Sequence, residues 1–199
     1  ADFHAQALEA ISGQSVAIIL ARPDGQQVIN TRVPFGAPLP SIADLVTLKR
    51  VVATKTHAVS DLFVGNVARV PQLNIHVPVL RNGALIYDLL LAFSPSLIRD
   101  ILNQQFLPPA WVTGVTDANS RVIARSRGHE EYLNTLVPTD LTLDMTDGKP
   151  FASRRADGTP VMRTAARLNQ AGWLVSATVE RSSVTEALRS AVAALLLAG

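Results

Sequence analysis

Cysteine is absent from the 199-residue sequence. Its absence excludes a disulfide scaffold, a cysteine-ligated metal site and a cysteine nucleophile. It also fits a domain of an oxidising compartment, where unpaired thiols are a liability. Because only four histidines are present and no cysteine, we predict neither a metal site nor a cofactor.

The common enzyme motifs are missing as well. The sequence contains no G-x-S-x-G, no P-loop, no G-x-G-x-x-G and no H-E-x-x-H. His129-Glu130-Glu131 begins like the zinc motif, but no second histidine follows at the required spacing. We therefore predict no catalytic residue in this sequence.

The sequence has no large excess of positive or negative residues: charged residues make up 17% of it, and the net charge is +2. Five arginines nevertheless cluster in the second half: Arg121, Arg125, Arg127, Arg154 and Arg155. No aromatic interleaving or binding motif accompanies them, so we predict no nucleic-acid partner. A solvated face, or a face near anionic lipid headgroups, is the better interpretation.

Long apolar runs are missing too, although the composition is 48% hydrophobic and therefore typical of a folded protein. Ser183-Val184-Thr185-Glu186 has the capping-box spacing, which predicts a helix that continues into the apolar residues 192–197. That run is shorter than the roughly 20 residues that cross a bilayer. We interpret it as the start of a transmembrane helix, with an ordinary core helix as the alternative. Residues 1–11 form a second amphipathic helical stretch.

Turn dipeptides between strand-like segments are the most informative feature that is present. Asp24-Gly25, Asn82-Gly83 and Asp157-Gly158 are strong hairpin signals because these residues tolerate positive φ, and Asn119-Ser120 is a weaker one. Their flanks predict four hairpins: 15–20 with 28–33, 73–80 with 85–93, 111–116 with 122–126, and 151–154 with 161–168.

The segments between the hairpins complete two similar halves. In the first half, residues 42–54 predict a helix that begins near Pro40 or Ser41, and residues 57–64 predict a third strand. Ser94 and Pro95 predict the start of a helix over 95–105. In the second half, an irregular stretch over 128–150 follows the first hairpin, and 173–179 predicts the last strand. Two strands, a connector and three strands in each half indicate an α+β fold of two tandem PAS-like domains, each with an antiparallel five-stranded sheet.

Several segments resemble the double Cache sensor domains of bacterial receptors, especially transmembrane sensor histidine kinases. In the first half they are Ala21-Arg22-Pro23-Asp24-Gly25-Gln26 with Asn30-Thr31, Val59-Ser60-Asp61-Leu62, Ile75-His76-Val77-Pro78-Val79 and Leu91-Ala92-Phe93-Ser94-Pro95. In the second half they are residues 115–126 and Ala171-Gly172-Trp173-Leu174-Val175. Their order and spacing cover nearly the whole chain.

The resemblance implies a domain plan and a function. The plan is a stalk helix over 1–13, a membrane-distal sensing domain over 14–94 and a connecting helix over 95–109, then a membrane-proximal domain over 110–181 and a helix over 182–199 that leads into the membrane. The function is that of a periplasmic sensor of an inner-membrane histidine kinase, a phosphotransferase that acts as a homodimer. Alternatives are a chemotaxis receptor, a diguanylate cyclase or a soluble solute-binding protein.

Two positions depart from the family pattern. Ser120 stands where the family usually has glycine in an Asp-x-x-Gly-Arg turn. Ala92 stands near the aspartate with which amino-acid-binding members hold the ligand's amine. The second departure makes an α-amino acid ligand less favourable.

A ligand pocket in the first half is the remaining chemical hypothesis. Strand alternation places His76 on the same face of its strand as Asn74 and Pro78. In the next strand it places Tyr87 and Asp88 on opposite faces. The predicted ligand-binding residues are His76, Tyr87, His57, Ser60 and Asp61, with Arg50 and Arg69 as partners for a carboxylate. The expected partner is a small molecule, such as a small carboxylate. The second half looks less suited to a ligand and better suited to transmission.

Overall fold

The computed structural model describes residues 2–105, 107–137, 148–155 and 157–186. The chain divides into two compact units, 1–98 and 99–199, and each is described separately below. Both are α+β units built on an antiparallel sheet, as the recurrent hairpins predict.

The first unit contains a six-stranded antiparallel sheet. Its order is β2-β1-β6-β5-β3, and β4 pairs with another part of β5. The strands are β1 (Val16–Ala21), β2 (Gln27–Asn30), β3 (Ala58–Val59), β4 (Phe63–Val64), β5 (Pro71–Arg81) and β6 (Ala84–Phe93). The two long strands β5 and β6 form the hairpin around Asn82-Gly83, where both turn residues have positive φ, 50° and 75°.

A helix and its N-terminal connector pack on the first sheet. This helix, α2 (Leu45–Thr54), follows α1 (Asp2–Ala10) in the chain. The core cluster joins Ile42 and Leu48 to small and branched residues of the central strands: Ala17, Ile19, Ala21, Leu90 and Ala92. Asp44, rather than Pro40 or Ser41, begins α2, because its carboxylate accepts the Thr47 N–H at 3.0 Å.

The predicted third strand over 57–64 is interrupted. Val59 pairs with Ile75, whereas Phe63 pairs with Gln72, so the register shifts by one residue between β3 and β4. Ser60 lies at this bulge, donating its N–H to Asn74 O and accepting the Asn74 N–H with its hydroxyl. The bulge therefore ties the connector to the middle of β5.

The second unit contains a five-stranded antiparallel sheet of order β8-β7-β11-β10-β9. The strands are β7 (Trp111–Thr116), β8 (Val122–Arg125), β9 (Phe151–Arg154), β10 (Pro160–Arg167) and β11 (Leu174–Glu180). The short helix α4 (His129–Tyr132) follows β8, and α3 (Pro95–Asn103) spans the division between the units. The Asn119-Ser120 turn is formed with Ser120 at φ 61°, the position usually taken by glycine.

Residues 181–186 are helical, so a helix is present where the capping-box spacing predicts one, but it begins before Ser183, which lies inside the helix and is not its N-cap. The apolar residues 192–197 lie outside the described residues, so the transmembrane interpretation of that run stays a prediction. Within the described part of the chain, no helix has both the length and the apolar character needed to cross a membrane.

Candidate functional site

A histidine and two aspartates form a buried ionic cluster in the first unit. His76 of β5 and Asp88 of β6 are both 0% exposed, and their Nδ1 and Oδ2 atoms lie 2.6 Å apart. On the other side of the ring, His76 Nε2 lies 3.3 Å from Asp44 Oδ2 at the start of α2. We call Asp44, His76 and Asp88 the His76 cluster. It connects the sheet to the helix that covers it.

The electrostatics of the cluster favour a charged imidazolium. Burial by itself would lower the pKa of His76, but the contacts with Asp44 and Asp88 outweigh it and raise that pKa. Burial would likewise raise the pKa of Asp44, and the contacts with His76 and Thr47 lower it instead. Buried ions are stable only when they are paired, so each member depends on the others.

Some polar atoms of the cluster are left without a conventional hydrogen bond. Within the described residues, Asp44 Oδ2, His76 Nε2 and Asp88 Oδ1 are buried and have no hydrogen-bond partner. The contact between His76 and Asp44 is therefore an ion pair without hydrogen-bond geometry. Such a contact is easier to separate than the 2.6 Å bond between His76 and Asp88.

Five polar side chains lie in a shell on the same side of the unit: Gln27, Asn30, Arg32, Gln72 and Asn74. Asn30 Nδ2 donates to Gln27 Oε1 at 2.8 Å, and Arg32 Nη1 donates to Gln72 Oε1 at 2.9 Å. Together with residues 63–68 they surround a cavity of only about 10 Å³. That volume is about the minimum for one water molecule, so the described arrangement is closed to larger ligands.

The sequence-predicted site residues are spread over this unit. His76 and Ser60 are buried, and Ser60 binds the backbone of Asn74 beside the polar shell. Asp61 is half-buried and His57 is exposed.

Both predicted arginines are exposed. Arg50 donates to Val59 O at 2.7 Å, and Arg69 has a φ of 54°. Arg32, which is not among the predicted residues, is also exposed, but its guanidinium lines the small cavity and donates to Gln72 of the polar shell. Polar residues within β2 and in the first half of β5 were the sequence signal for this shell.

Tyr87 lies on the opposite face of the sheet from His76. An unbroken pairing from the Asn82-Gly83 turn would have placed His76 on the Tyr87 face. A register shift between Val79 and Leu80 leaves one residue of β6 unpaired. His76 therefore pairs with Leu90, and Asp88 lies on the same face of the sheet as His76. This β-bulge brings His76 and Asp88 together.

A much larger cavity lies in the second unit. It measures about 680 Å³ and is bounded by one face of the sheet, by α4 and by the loop after it. This volume is in the range of small-molecule sites, although the sequence indicated a second half less suited to a ligand.

Solved structures with a similar fold include the sensor domains of receptors. The extracellular domain of rpHK1S-Z16, assigned as a histidine kinase, superposes with a TM-score of 0.74 at 11% identity, over 92% of this chain and 78% of that one. The L-Arg complex of the ligand-binding domain of PctB, an amino acid chemoreceptor of Pseudomonas aeruginosa PAO1, gives 0.71 at 10% identity, over 96% and 77%. The chain has the double Cache fold.

A third structure extends the double Cache comparison. The ligand-binding domain of Mlp24 with asparagine has a TM-score of 0.61 at 16% identity, over 90% of this chain and 76% of that one. No protein-family model and no curated protein matches the sequence. At these identities the likeness concerns the fold, and ligand chemistry has to be argued from this chain's own side chains.

Proposed function

We propose that this double Cache chain is the extracytoplasmic sensor of a membrane-anchored signalling receptor, and that its first unit binds a small polar solute. The observation that carries the proposal is the likeness in fold to receptor sensor domains over more than nine-tenths of the chain. A histidine kinase working as a homodimer in the inner membrane is the leading form of this proposal. A chemotaxis receptor is the second candidate, because ligand-binding domains of such receptors share the fold.

The polar shell supports a ligand that is not an α-amino acid. Ala92 is 0% exposed and pairs with Asn74, so a methyl group fills the position near which related sites carry an aspartate. The nearby carboxylates of Asp44 and Asp88 are both held by His76. A ligand amine would therefore have to compete with the His76 imidazolium for one of these two carboxylates.

Arg32 gives the shell a positive end. The Arg32 side chain is exposed, and the partial burial of its guanidinium lowers the pKa of that group, but an arginine remains charged at neutral pH. Beside the amides of Gln72 and Asn74, it suits a solute with a carboxylate and neighbouring hydrogen-bonding groups.

The His76 cluster supplies a mechanism for coupling. A solute larger than water requires residues 63–68 or the α2 connector to move, because the cavity between them is about 10 Å³. The Asp44–His76 ion pair is the weaker contact of the cluster and lies at the start of α2. Binding would shift the population between a closed and an open arrangement, and the flanking helices would transmit that shift.

A thermal-shift screen of this chain tests the proposal. Small carboxylates, sugars, amines and amino acids are the compounds to add. A ligand at a hundredfold its dissociation constant stabilises the folded state by about 2.7 kcal/mol. We expect a non-amino-acid carboxylate to give the largest shift.

Two arginine variants localise any shift. Arg32→Gln should abolish it, whereas Arg81→Gln, at the exposed end of β5, should leave it unchanged. A ligand that stabilises Arg32→Gln as much as the wild type would place binding elsewhere. No shift with any compound class would contradict solute binding altogether. The residues after Gly199 in the full-length protein would distinguish a phosphoacceptor coiled coil from methyl-accepting helices.

A further inference from the structure

The cavity of the second unit is built on one face of its sheet. Antiparallel pairing places Val112, Gly114 and Thr116 of β7 on the same face as Ser176 and Thr178 of β11. All five line the cavity of about 680 Å³. Gly114 leaves the middle of this floor without a side chain.

Arginines on the neighbouring strands give the cavity its charge. Arg125 of β8 pairs with Gly114, and Arg163 of β10 pairs with Thr178, so both guanidinium groups belong to the floor face. Arg155 also lines the cavity and forms an ion pair with Glu180 at 2.8 Å. Burial, together with Arg125 and Arg155, lowers the pKa of Arg163, as expected for cations gathered in one place.

Acidic residues line the cavity beside the arginines. Glu131 and Asp157 are the two carboxylates among its described lining residues, against three arginines. Asp157 accepts the Thr159 N–H at 2.9 Å within its own turn. With Arg155 paired to Glu180, the lining presents charges of both signs, and Arg125 is the arginine whose guanidinium can meet a ligand.

Arg125 is preorganised for a planar anion. Its guanidinium carbon lies 4.1 Å from the centre of the Tyr132 ring, which is a cation–π contact. Stacking engages the face of the guanidinium and leaves its N–H edge to bind a carboxylate with two parallel hydrogen bonds.

The remaining lining residues define the body of the ligand. Four aliphatic side chains surround the hydroxyl groups of the floor: Val122, Leu136, Val137 and Leu174. Leu136, at the rim, is 62% exposed. Apolar walls with a few convergent polar groups are typical of sites for small organic molecules.

We propose that the second unit binds a small organic carboxylic acid with an apolar body, held at its carboxylate by Arg125. This site uses residues of the second unit alone and is independent of the solute site proposed in the first. A double Cache sensor of this kind would respond to two ligands.

Isothermal titration of the whole chain with benzoate and hexanoate tests the proposal, with benzamide and hexanamide as neutral counterparts. We expect the acids to bind and the amides to bind at least about tenfold more weakly, because charge-assisted hydrogen bonds are lost. Arg125→Gln should weaken the acids by a similar factor. Arg167→Gln, an exposed arginine of β10 outside the lining residues, is the matched control and should bind like the wild type.

Gly114→Leu provides a test that does not depend on charge. A Cβ at Gly114 would lie 3.5 Å from Ala124 O and 3.7 Å from Ser176 Oγ, which are ordinary contacts. The larger side chain should occupy the middle of the floor, next to Arg125, and weaken acid binding while the unit stays folded, which circular dichroism would verify. If Arg125→Gln does not fold, Gly114→Leu and the comparison of acids with amides still test whether the cavity binds a carboxylic acid.

Three results would overturn the proposal. They are the absence of acid binding to the wild type, equal binding of acids and amides, and unchanged binding by Gly114→Leu. Acid binding lost in Arg32→Gln and retained in Arg125→Gln would also overturn it, while supporting the solute site of the first unit.

Discussion

Replacing His76 with leucine tests the ionic cluster of the first unit. The substitution removes the cation between two carboxylates whose side chains are 9% exposed, for Asp44, and 0% exposed, for Asp88. Leaving a buried charge without its partner costs about 3–5 kcal/mol. We therefore expect His76→Leu to lower the free energy of unfolding of the first unit by about that amount near pH 6.

The pH dependence gives the cluster a signature that simple loss of packing would lack. The pKa of His76 is raised in the folded state, so its stabilisation is complete below its ordinary pKa of 6.5 and is lost as pH rises through the folded value. The pKa of Asp44 is lowered, so its stabilisation is complete above its ordinary 3.8 and is lost as pH falls through the folded value. The difference between wild type and His76→Leu should therefore shrink as pH rises from 6.5.

Urea unfolding followed by two probes measures this effect. Both tryptophans, Trp111 and Trp173, belong to the second unit, so their fluorescence reports that unit, whereas circular dichroism reports both. His57→Leu is the control, because His57 is exposed in the same unit and its loss should cost within about 0.5 kcal/mol. A cost of less than about 1 kcal/mol for His76→Leu, or one that grows above pH 6.5, would refute the ionic account.

Three further substitutions test local features by the same unfolding measurements. Ser120→Gly should stabilise the second unit by up to about 1 kcal/mol, because Ser120 has a φ of 61°; Asn119→Gly should give no such gain. Gly25→Ala should cost at least about 1–2 kcal/mol, since φ is 92° and the new Cβ would lie 3.0 Å from Leu45 Cδ2; a neutral result would contradict this packing. Asp44→Ala should cost about 1 kcal/mol more than Asp44→Asn, because asparagine keeps the cap on α2, and equal costs would argue against the capping role.

The order of elements could be predicted from sequence because it depends on local chemistry. Residues that tolerate positive φ mark the turns, and the apolar segments between them have the length of strands. The hairpins at Asn82-Gly83 and Asp157-Gly158 formed as predicted. The start of α2 was displaced to Asp44, because a carboxylate accepting the Thr47 N–H is a better cap than the hydroxyl three residues earlier.

The candidate sites depended on contacts that sequence periodicity does not contain. One extra residue near Val79 turned His76 away from Tyr87 and toward Asp88, because a one-residue slip exchanges the two faces of a strand. Arg32 reached Gln72 although 40 residues separate them in the sequence. Strand alternation assigns each residue to a face of its own strand. The bulge decides which residues of the neighbouring strand share that face.

The sequence alone determined a chain without cysteine or enzyme motifs, organised as two α+β halves with antiparallel sheets. Turn residues and the period of apolar side chains act over a few positions and suffice for that. Tertiary structure decided where a ligand has room: about 10 Å³ remains inside the polar shell of the first unit, and about 680 Å³ beside Arg125. Cavity volume depends on how distant side chains pack against each other, and no local pattern along the chain specifies it.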